Sequence, residues 1–469
     1  MAQRTKESVA SHVQLELEDL QSATTLPFRQ LLDAKRITEA LERAGVKFRE
    51  RVFDPSTTLW AFLSQAVASK DSSCEDAVSR VLAERVANHQ TACSTDTSSY
   101  CKARGRLSES LISDLARETG QDLARQAAPE WLWKGRHHVM IVDGSTAEMA
   151  DTPENQAEYP QSRKQKAGLG FPMLRMVVLF SLAVGTVLEC TIGPCRGKNT
   201  GEQNLFRRMG GHPFKPNDIV LGDRLYDGYR DIAELKARGV DSVFGKNASR
   251  AIDFRRGRKL GPNDHVVVWQ RPKYDANRFD SYEQWQSLPE EMDMREIKKS
   301  VRGKGRRTRS VIVVTTLLDA EAYSAVEVTD LFAQRWHCEL DLRSLKQAMG
   351  MRRLRCQSPQ MVRKELWVYL LAYNLIRVRM ALAAAVHGPT PRSLSFTAAK
   401  THIHNFALHM KAASPATHDR LDAELLKAIA ACQVGQRPGR KEPRAVKKRQ
   451  QKYSYLTKPR AQAREALAA

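Results

Sequence analysis

Long apolar runs are missing from this chain. The most apolar stretch, Met176 to Leu188, is interrupted by Ser181 and Gly185 and is too short for a bilayer that takes about 20 apolar residues to cross. No membrane partner is expected. The amino terminus, Met1-Ala-Gln-Arg-Thr-Lys-Glu, leads into polar sequence with no apolar core, so no export signal is expected and the expected compartment is the cytoplasm. The eight cysteines form no Cys-x-x-Cys pair and no finger-like Cys/His spacing, which argues against a zinc finger or a disulfide framework. Negative charge is also short: 53 Asp and Glu stand against 75 Lys and Arg, a formal charge of +22. That balance favours a polyanion through phosphate contacts and counterion release. A ribosome-binding or acidic-lipid-binding protein has the same balance.

Three of the scarce acids occupy informative positions. Asp143 ends the apolar run Val139–Val142, Asp223 ends Ile219–Leu221, and Glu339 lies far downstream on a helix. An acid just past a buried strand points into the crevice where open α/β sheets bind ligands, and three converging there can hold two divalent metals. Any chain of this length holds acids after apolar runs by accident, so the third position carries the weight. It reads Phe332-Ala-Gln-Arg335-Trp-His-Cys-Glu339-Leu-Asp-Leu-Arg-Ser-Leu-Lys346. On one continuous helix this presents cation, carboxylate and cation on one face. A solvated face with ordinary salt bridges has the same spacing.

That spacing resembles the Tyr-x2-Arg-x3-Glu-x6-Lys signature of bacterial DDE transposases of the insertion sequence four family. Phe332 stands where the signature has tyrosine, so a hydroxyl for a DNA phosphate is absent. Asp223-Arg224-Leu225-Tyr226 is similar to the family's Asp-Arg-x-aromatic pattern, and the matches run from about residue 130 to 385. The resemblance implies catalysis by Asp143, Asp223 and Glu339 holding two Mg²⁺ ions, with Mn²⁺ as a substitute. Asp143 would bridge the pair, and Asp223 and Glu339 would hold one ion each. Arg335 and Lys346 would clamp phosphates, and Phe332, Arg224 and Tyr226 would lie against DNA. The implied partners are double-stranded DNA, both terminal repeats and target, and a second copy in a DNA-bridged homodimer. The implied setting is bacterial cytoplasm, at the nucleoid when DNA is bound. A metal-dependent nuclease without strand transfer, and an element-derived DNA-binding protein without catalysis, are the rival readings.

The expected fold class is α/β: a ribonuclease H-like mixed sheet flanked by helices, with an inserted β subdomain, a helical N-terminal domain and a basic C-terminal tail. The expected division is a DNA-binding domain over 1–128, a core over 129–246 and 318–415, the insertion over 247–317 and the tail over 416–469. In the first domain Leu31, Leu32, Ile37, Leu41 and Phe48 recur near helical spacing, and Trp60 opens a second amphipathic stretch. Tyr100, Lys102, Arg104 and Arg106 cluster at a helix start and are candidates for terminal-repeat contact. In the core, Val139–Val142, a hairpin over Met173–Ile192 turning at Val184-Gly185-Thr186, and Ile219–Leu221 read as strands. A helix from Tyr229 stops at Gly239, and Val240–Phe244 resumes as strand. This order brings Asp143 and Asp223 together although they are 80 positions apart.

The insertion reads as strands over His265–Trp269, Arg295–Val301 and Ser310–Leu317, with a turn at Gly303-Lys-Gly and a basic tip from Lys298 to Arg309 facing DNA. The similar transposases stack an inserted tryptophan on a flipped base, which makes Trp269 and Trp285 candidates, with burial in the insertion as the plain alternative. Met361–Ala385 reads as a long helix packing Leu366, Leu370, Tyr373 and Leu375 on the core, with Glu365 as an ordinary surface charge. Gly144 reads as space left for DNA. Cys338 reads as packing, and His337, Asp227, Asp231 and Asp341 rank below the three acids. From Arg437 to Arg449 the chain is basic and proline-rich, a segment sticky to DNA without reading its sequence.

Overall fold

The computed structural model of the chain describes residues 34–43, 45, 51–68, 72–276, 279–301, 309–410, 414–435 and 454–468. The expectations for Leu31, Leu32, Phe48, the Gly303 turn and the basic run 437–449 lie outside the described residues. Five helices come first: α1 (Ala34–Arg43), α2 (Pro55–Val67), α3 (Cys74–Ala87), α4 (Ser98–Arg106) and α5 (Glu109–Arg125). Asp54, Ser73 and Ser108 start α2, α3 and α5 by accepting a hydrogen bond from a first-turn amide, the usual remedy for amides with no partner inside the helix.

The central region runs β1 (Val139–Glu148), α6 (Pro153–Glu158), β2 (Met173–Ser181), β3 (Val187–Pro194), α7 (Glu202–Arg208), β4 (Ile219–Gly222), α8 (Tyr229–Ala237) and β5 (Asp241–Gly245). Next come β6 (Arg258–Gly261), β7 (Asp264–Gln270), α9 (Tyr282–Gln286), β8 (Glu291–Val301) and β9 (Arg309–Thr315). Helices α10 (Ala325–Ala333), α11 (Trp336–Arg343), α12 (Pro359–His387), α13 (Phe396–Met410), α14 (Pro415–Ala431) and α15 (Arg460–Ala468) complete it.

The sheet has the expected ribonuclease H-like order. Strands β1, β2 and β3 form an antiparallel meander, β4 lies parallel beside β1, and β5 lies parallel beside β4. Helix α8 makes the crossover between β4 and β5, and Gly239 after it takes φ +71°, a left-handed stop that glycine adopts at little cost. Val139 pairs with Ile219 and Ile141 with Leu221, so two residues further on Asp143 and Asp223 come level. Along β1, Val139 and Ile141 face the core beneath α12, while Met140 and Val142 face the core beneath α7 and α8, the period-two alternation of a strand buried on both faces.

The insertion does not build a sheet of its own. Strand β9 pairs antiparallel with β5, Val243 opposite Thr315, and β8, β7 and β6 follow outward, giving one nine-stranded sheet in the order β3-β2-β1-β4-β5-β9-β8-β7-β6. Without β9, the unpaired amides and carbonyls of β5 would form an open sheet edge. The early helices are likewise joined to the core: Leu111, Ile112 and Leu115 of α5 share one buried cluster with Leu370 and Tyr373 of α12.

Helix α12 is buried over most of its length, with Leu366, Leu370, Tyr373 and Leu375 all inaccessible and Lys364, Glu365 and Arg377 buried as well. By length and composition it is the one helix among the described residues that could cross a membrane, but most of it is buried inside the protein. Glu365 on α12 is not a surface charge. It is 6% exposed and accepts from the amides of Arg355 and Cys356 at 2.9–3.0 Å. It satisfies backbone donors of the segment that lies across the helix, a tertiary role that helical spacing does not announce.

Candidate active site

The segment carrying Arg335, Glu339 and Lys346 is not one continuous helix. Helix α10 ends at Ala333, and the amides of Arg335, His337 and Cys338 bond three residues back, to Phe332, Gln334 and Arg335, a tighter turn than an α-helix makes. Helix α11 then runs to Arg343 and widens into a π turn over Ser344–Ala348. The break leaves Arg335 at the helix start, where its guanidinium reaches two acids: Asp143 at 3.9 Å and Glu339 at 3.5 Å. The π turn brings Lys346 to β1, where its ammonium donates to Ser145 Oγ at 3.1 Å. Ser145 lies two residues beyond Asp143 and so on the same strand face.

Asp143 accepts the Gly144 amide at 2.8 Å, and Asp223 turns back to accept the Leu225 amide at 2.7 Å. Burial pushes the Asp143 carboxyl up to about 6. The Gly144 amide and Arg335 oppose that rise, while Asp223 and Glu202 reinforce it. Asp143 is therefore short of positive charge. Burial, followed by the nearby Arg352, lowers Lys346 from its ordinary value, with Glu148 opposing.

Glu202 was not anticipated. It opens α7, and its carboxylate lies over Gly144: a Cβ added there would meet Glu202 Cδ at 2.2 Å. Gly144 therefore leaves room for a fourth acid, not for DNA. A lone acid after a glycine has no spacing signature, so only the hole at Gly144 hinted at it.

Several predicted DNA contacts are core residues instead. Tyr226 is 0% exposed and its ring packs between Phe206 and Phe244. Trp269 is 6% exposed, donates to Glu296 Oε1 at 3.1 Å and is covered by the Arg250 guanidinium at 3.3 Å from its ring. Both rings are buried, so neither offers a face to a base. Trp285 is half-buried, donates to the Pro272 carbonyl at 2.8 Å and carries Arg271 on its ring at 4.2 Å. In α4, Tyr100 is buried and donates to Gln65 at 2.6 Å, and Arg104 stacks on Phe62 and Tyr100. Lys102, Arg106 and Arg224 are exposed. The tip of the Phe332 ring comes against the end of β5, 3.1 Å from where a Cβ on Gly245 would sit, beside the Arg224 backbone.

The acids ranked lower have structural employment. Asp231 binds Arg207 at 2.6 and 3.0 Å, Asp227 accepts the Asn247 amide at 2.6 Å, and Asp341 binds Arg377 at 2.5 Å and Arg392 at 2.7 Å. Cys338 is fully buried. Burial lowers His337, as do Arg392 and Arg377.

The donors left at the site are carboxylate oxygens, the hard ligands that suit Mg²⁺ or Mn²⁺. Among the described residues no three such side chains close around a single ion, because the Arg335 guanidinium stands between Asp143 and Glu339. A cation already attracted into the gap and an under-compensated Asp143 both fit a site built to take up positive charge.

Residues 134–375 match a family described as transposase DDE domain. The chain is 27% identical over 433 residues to the transposase InsG for insertion sequence element IS4 of Escherichia coli strain K12, an alignment covering 90% of this chain and 92% of that protein. Among solved structures it is similar to piggyBac transposase in a synaptic complex with hairpin DNA, with a TM-score of 0.43 and 12% identity, over 90% of this chain and 88% of that chain. The family match spans more than half of the chain and contains Asp143, Asp223 and the Arg335-Glu339-Lys346 segment. The chain belongs to the DDE transposases of the insertion sequence four type, enzymes that cut and transfer DNA.

Proposed function

We propose that this transposase binds the terminal repeats of its insertion sequence as a homodimer bridging two ends, cuts the DNA there and joins the freed 3′-hydroxyls to target DNA. What supports this reading is the convergence of Asp143, level with Asp223 across β1 and β4, with Glu339 from the facing helix, Asp143 and Glu339 sharing the Arg335 guanidinium. DDE transposases use divalent metals, and two Mg²⁺ ions held by these carboxylates, or Mn²⁺ in their place, would activate the attacking oxygen and neutralise the leaving one. Arg335, freed from its acids, is a bidentate partner for the scissile phosphate. Lys346, fixed on Ser145, is a point charge on the same strand face. Arg224 and Phe332 border the Asp223 loop, where the substrate strand would leave. Exposed Lys102 and Arg106 of the segment 1–128 are then candidates for terminal-repeat contact, and the inserted strands carry Lys298 and Lys299 toward flanking DNA. The setting for this activity would be the bacterial cytoplasm, at the nucleoid.

The test is Mg²⁺-dependent cleavage and strand transfer on DNA carrying the element's own ends, with wild type beside Asp143→Ala, Asp223→Ala and Glu339→Ala. Joined product that disappears in all three while DNA binding persists is expected. Cut ends without joined product would favour a nuclease, and activity surviving in any one variant would remove that acid from the site.

A further inference from the structure

Gly144 and Tyr226 together direct attention to an acid outside the three. The Glu202 carboxylate fills the space a side chain at Gly144 would take, which draws it from the α7 face of the sheet toward the ends of β1 and β4. Helix α7 is held there from two sides: Gln203 donates to the Leu225 carbonyl in the Asp223 loop, and Arg207 is locked to buried Asp231 at 2.6 Å. A carboxylate so placed gains no full ion pair. Its nearest cation, Arg175, stays at 3.9 Å, beyond hydrogen-bond length, and the buried Arg175 Nε has no hydrogen-bond partner.

A second, independent observation concerns Tyr226. Its ring is fully buried, yet its hydroxyl has no hydrogen-bond partner. Orphaned buried hydroxyls in native proteins call for a water or an ion. Its ring lies against Phe206 of α7, at 5.4 Å between centroids, and against Gly222 at the end of β4, between the elements that carry Glu202 and Asp223. The unsatisfied hydroxyl is thus carried by the side chain packed between the segments of Glu202 and Asp223.

We infer that Glu202 is a fourth carboxylate of the metal-holding site, with the Tyr226 hydroxyl fixing it or a water between it and the cation. This rests on the reading of Asp143, Asp223 and Glu339 as metal-holding residues and adds a residue that the signature spacing does not contain. Gly144 then has a definite task, to admit the Glu202 carboxylate beside Asp143.

The experiment is a Mn²⁺ titration of the full-length protein without DNA, following free Mn²⁺ by electron paramagnetic resonance. The proteins compared are wild type, Glu202→Gln, Gly144→Ala, Tyr226→Phe and Asp143→Asn. Loss of a carboxylate that ligates or orients through water weakens metal binding by about 10–100-fold, and this is expected for Glu202→Gln with little change in thermal midpoint. Gly144→Ala keeps every charge but displaces the flexible Glu202 end, and a loss in the same direction is expected; Tyr226→Phe should give a smaller one. Unchanged Mn²⁺ affinity in Glu202→Gln beside a clear loss in Asp143→Asn would overturn the role of Glu202 alone. Unchanged affinity in both would overturn the three-acid reading itself. A drop in thermal midpoint shared by Glu202→Gln and Arg175→Gln, with Mn²⁺ affinity intact, would make Glu202 a structural partner of Arg175. Should Glu202→Gln not fold, Glu202→Asp decides by the same reading of affinity.

Discussion

Glu339 and Asp341 lie two residues apart on one short helix, and their surroundings are opposites. Asp341 is 1% exposed and over-supplied with partners: Arg377 at 2.5 Å, Arg392 at 2.7 Å and the Tyr373 hydroxyl at 3.1 Å. Arg392 also donates to the carbonyls of Ser181 and Leu182, so the cluster ties α11 to α12 and to the β2–β3 turn. On the other face of α11, Glu339 is 40% exposed and meets the Arg335 guanidinium at 3.5 Å, a cation it shares with Asp143 at 3.9 Å. Buried charge that is fully paired fixes geometry, and charge left short of partners is available to bind something else. The anchored acid holds the helix so that the under-compensated one can face its neighbours.

Exchanging carboxylate for amide at the two positions should separate these roles. Glu339→Gln is expected to lower strand transfer at least about 10³-fold, roughly 4 kcal/mol of barrier, with the thermal midpoint unchanged. A large fall in the midpoint would break the contrast. Asp341→Ala leaves two buried guanidiniums without their acid and should cost about 3–5 kcal/mol of stability, read by denaturant unfolding. A variant as stable as wild type would show that the cluster is not the anchor.

Asp143 provides the pH-dependent arm. Its carboxyl rises to about 6 in the folded chain against an ordinary value of 3.8, so the folded form holds this proton more tightly than the unfolded form. Ionised Asp143 therefore destabilises the metal-free fold, a penalty absent below about pH 4, growing between pH 4 and 6 and constant above. Asp143→Asn should stabilise the metal-free protein at pH 8 by on the order of 1–3 kcal/mol, and the gain should vanish near pH 4. Thermal unfolding at both pH values checks it, and an equal effect at both would mean that the acids are not under-compensated.

The smallest effect is expected at Phe332. Its ring tip lies by the end of β5 and the Arg224 backbone, so the hydroxyl of Phe332→Tyr would emerge at the border of the site. One added hydrogen bond of about 0.5–1.5 kcal/mol corresponds to less than about tenfold in cleavage rate, and an unchanged rate would mean that the site works without that contact.

The chemistry-bearing positions were legible because each follows from a local rule. A continuous apolar run followed by an acid marks a strand buried on both faces, so β1, β4, Asp143 and Asp223 could be read directly, and so could the Gly239 stop, although β1 runs on past Asp143 to Glu148. The aromatic candidates were less legible. Tyr226 and Trp269 are large apolar rings, and their hydrophobicity describes a core residue as well as a stacking platform. Only Phe206 and Phe244 around the first, and Glu296 with Arg250 around the second, decide between the two. Glu365 was misread for the converse reason, since a charge on a helix has no sequence mark of the amides it will meet.

By itself the sequence determined the succession of core strands and helices along the chain, the acids that follow the apolar runs of β1 and β4, and the spacing of Arg335, Glu339 and Lys346, because apolar runs, turn residues and helical periods act over a few neighbouring residues. The tertiary structure alone decided that the Arg335 helix breaks, that the inserted strands continue the sheet from β5, and that Glu202 comes to rest over Gly144. These depend on contacts between segments distant in the chain, where burial and the supply of opposite charge are set by packing.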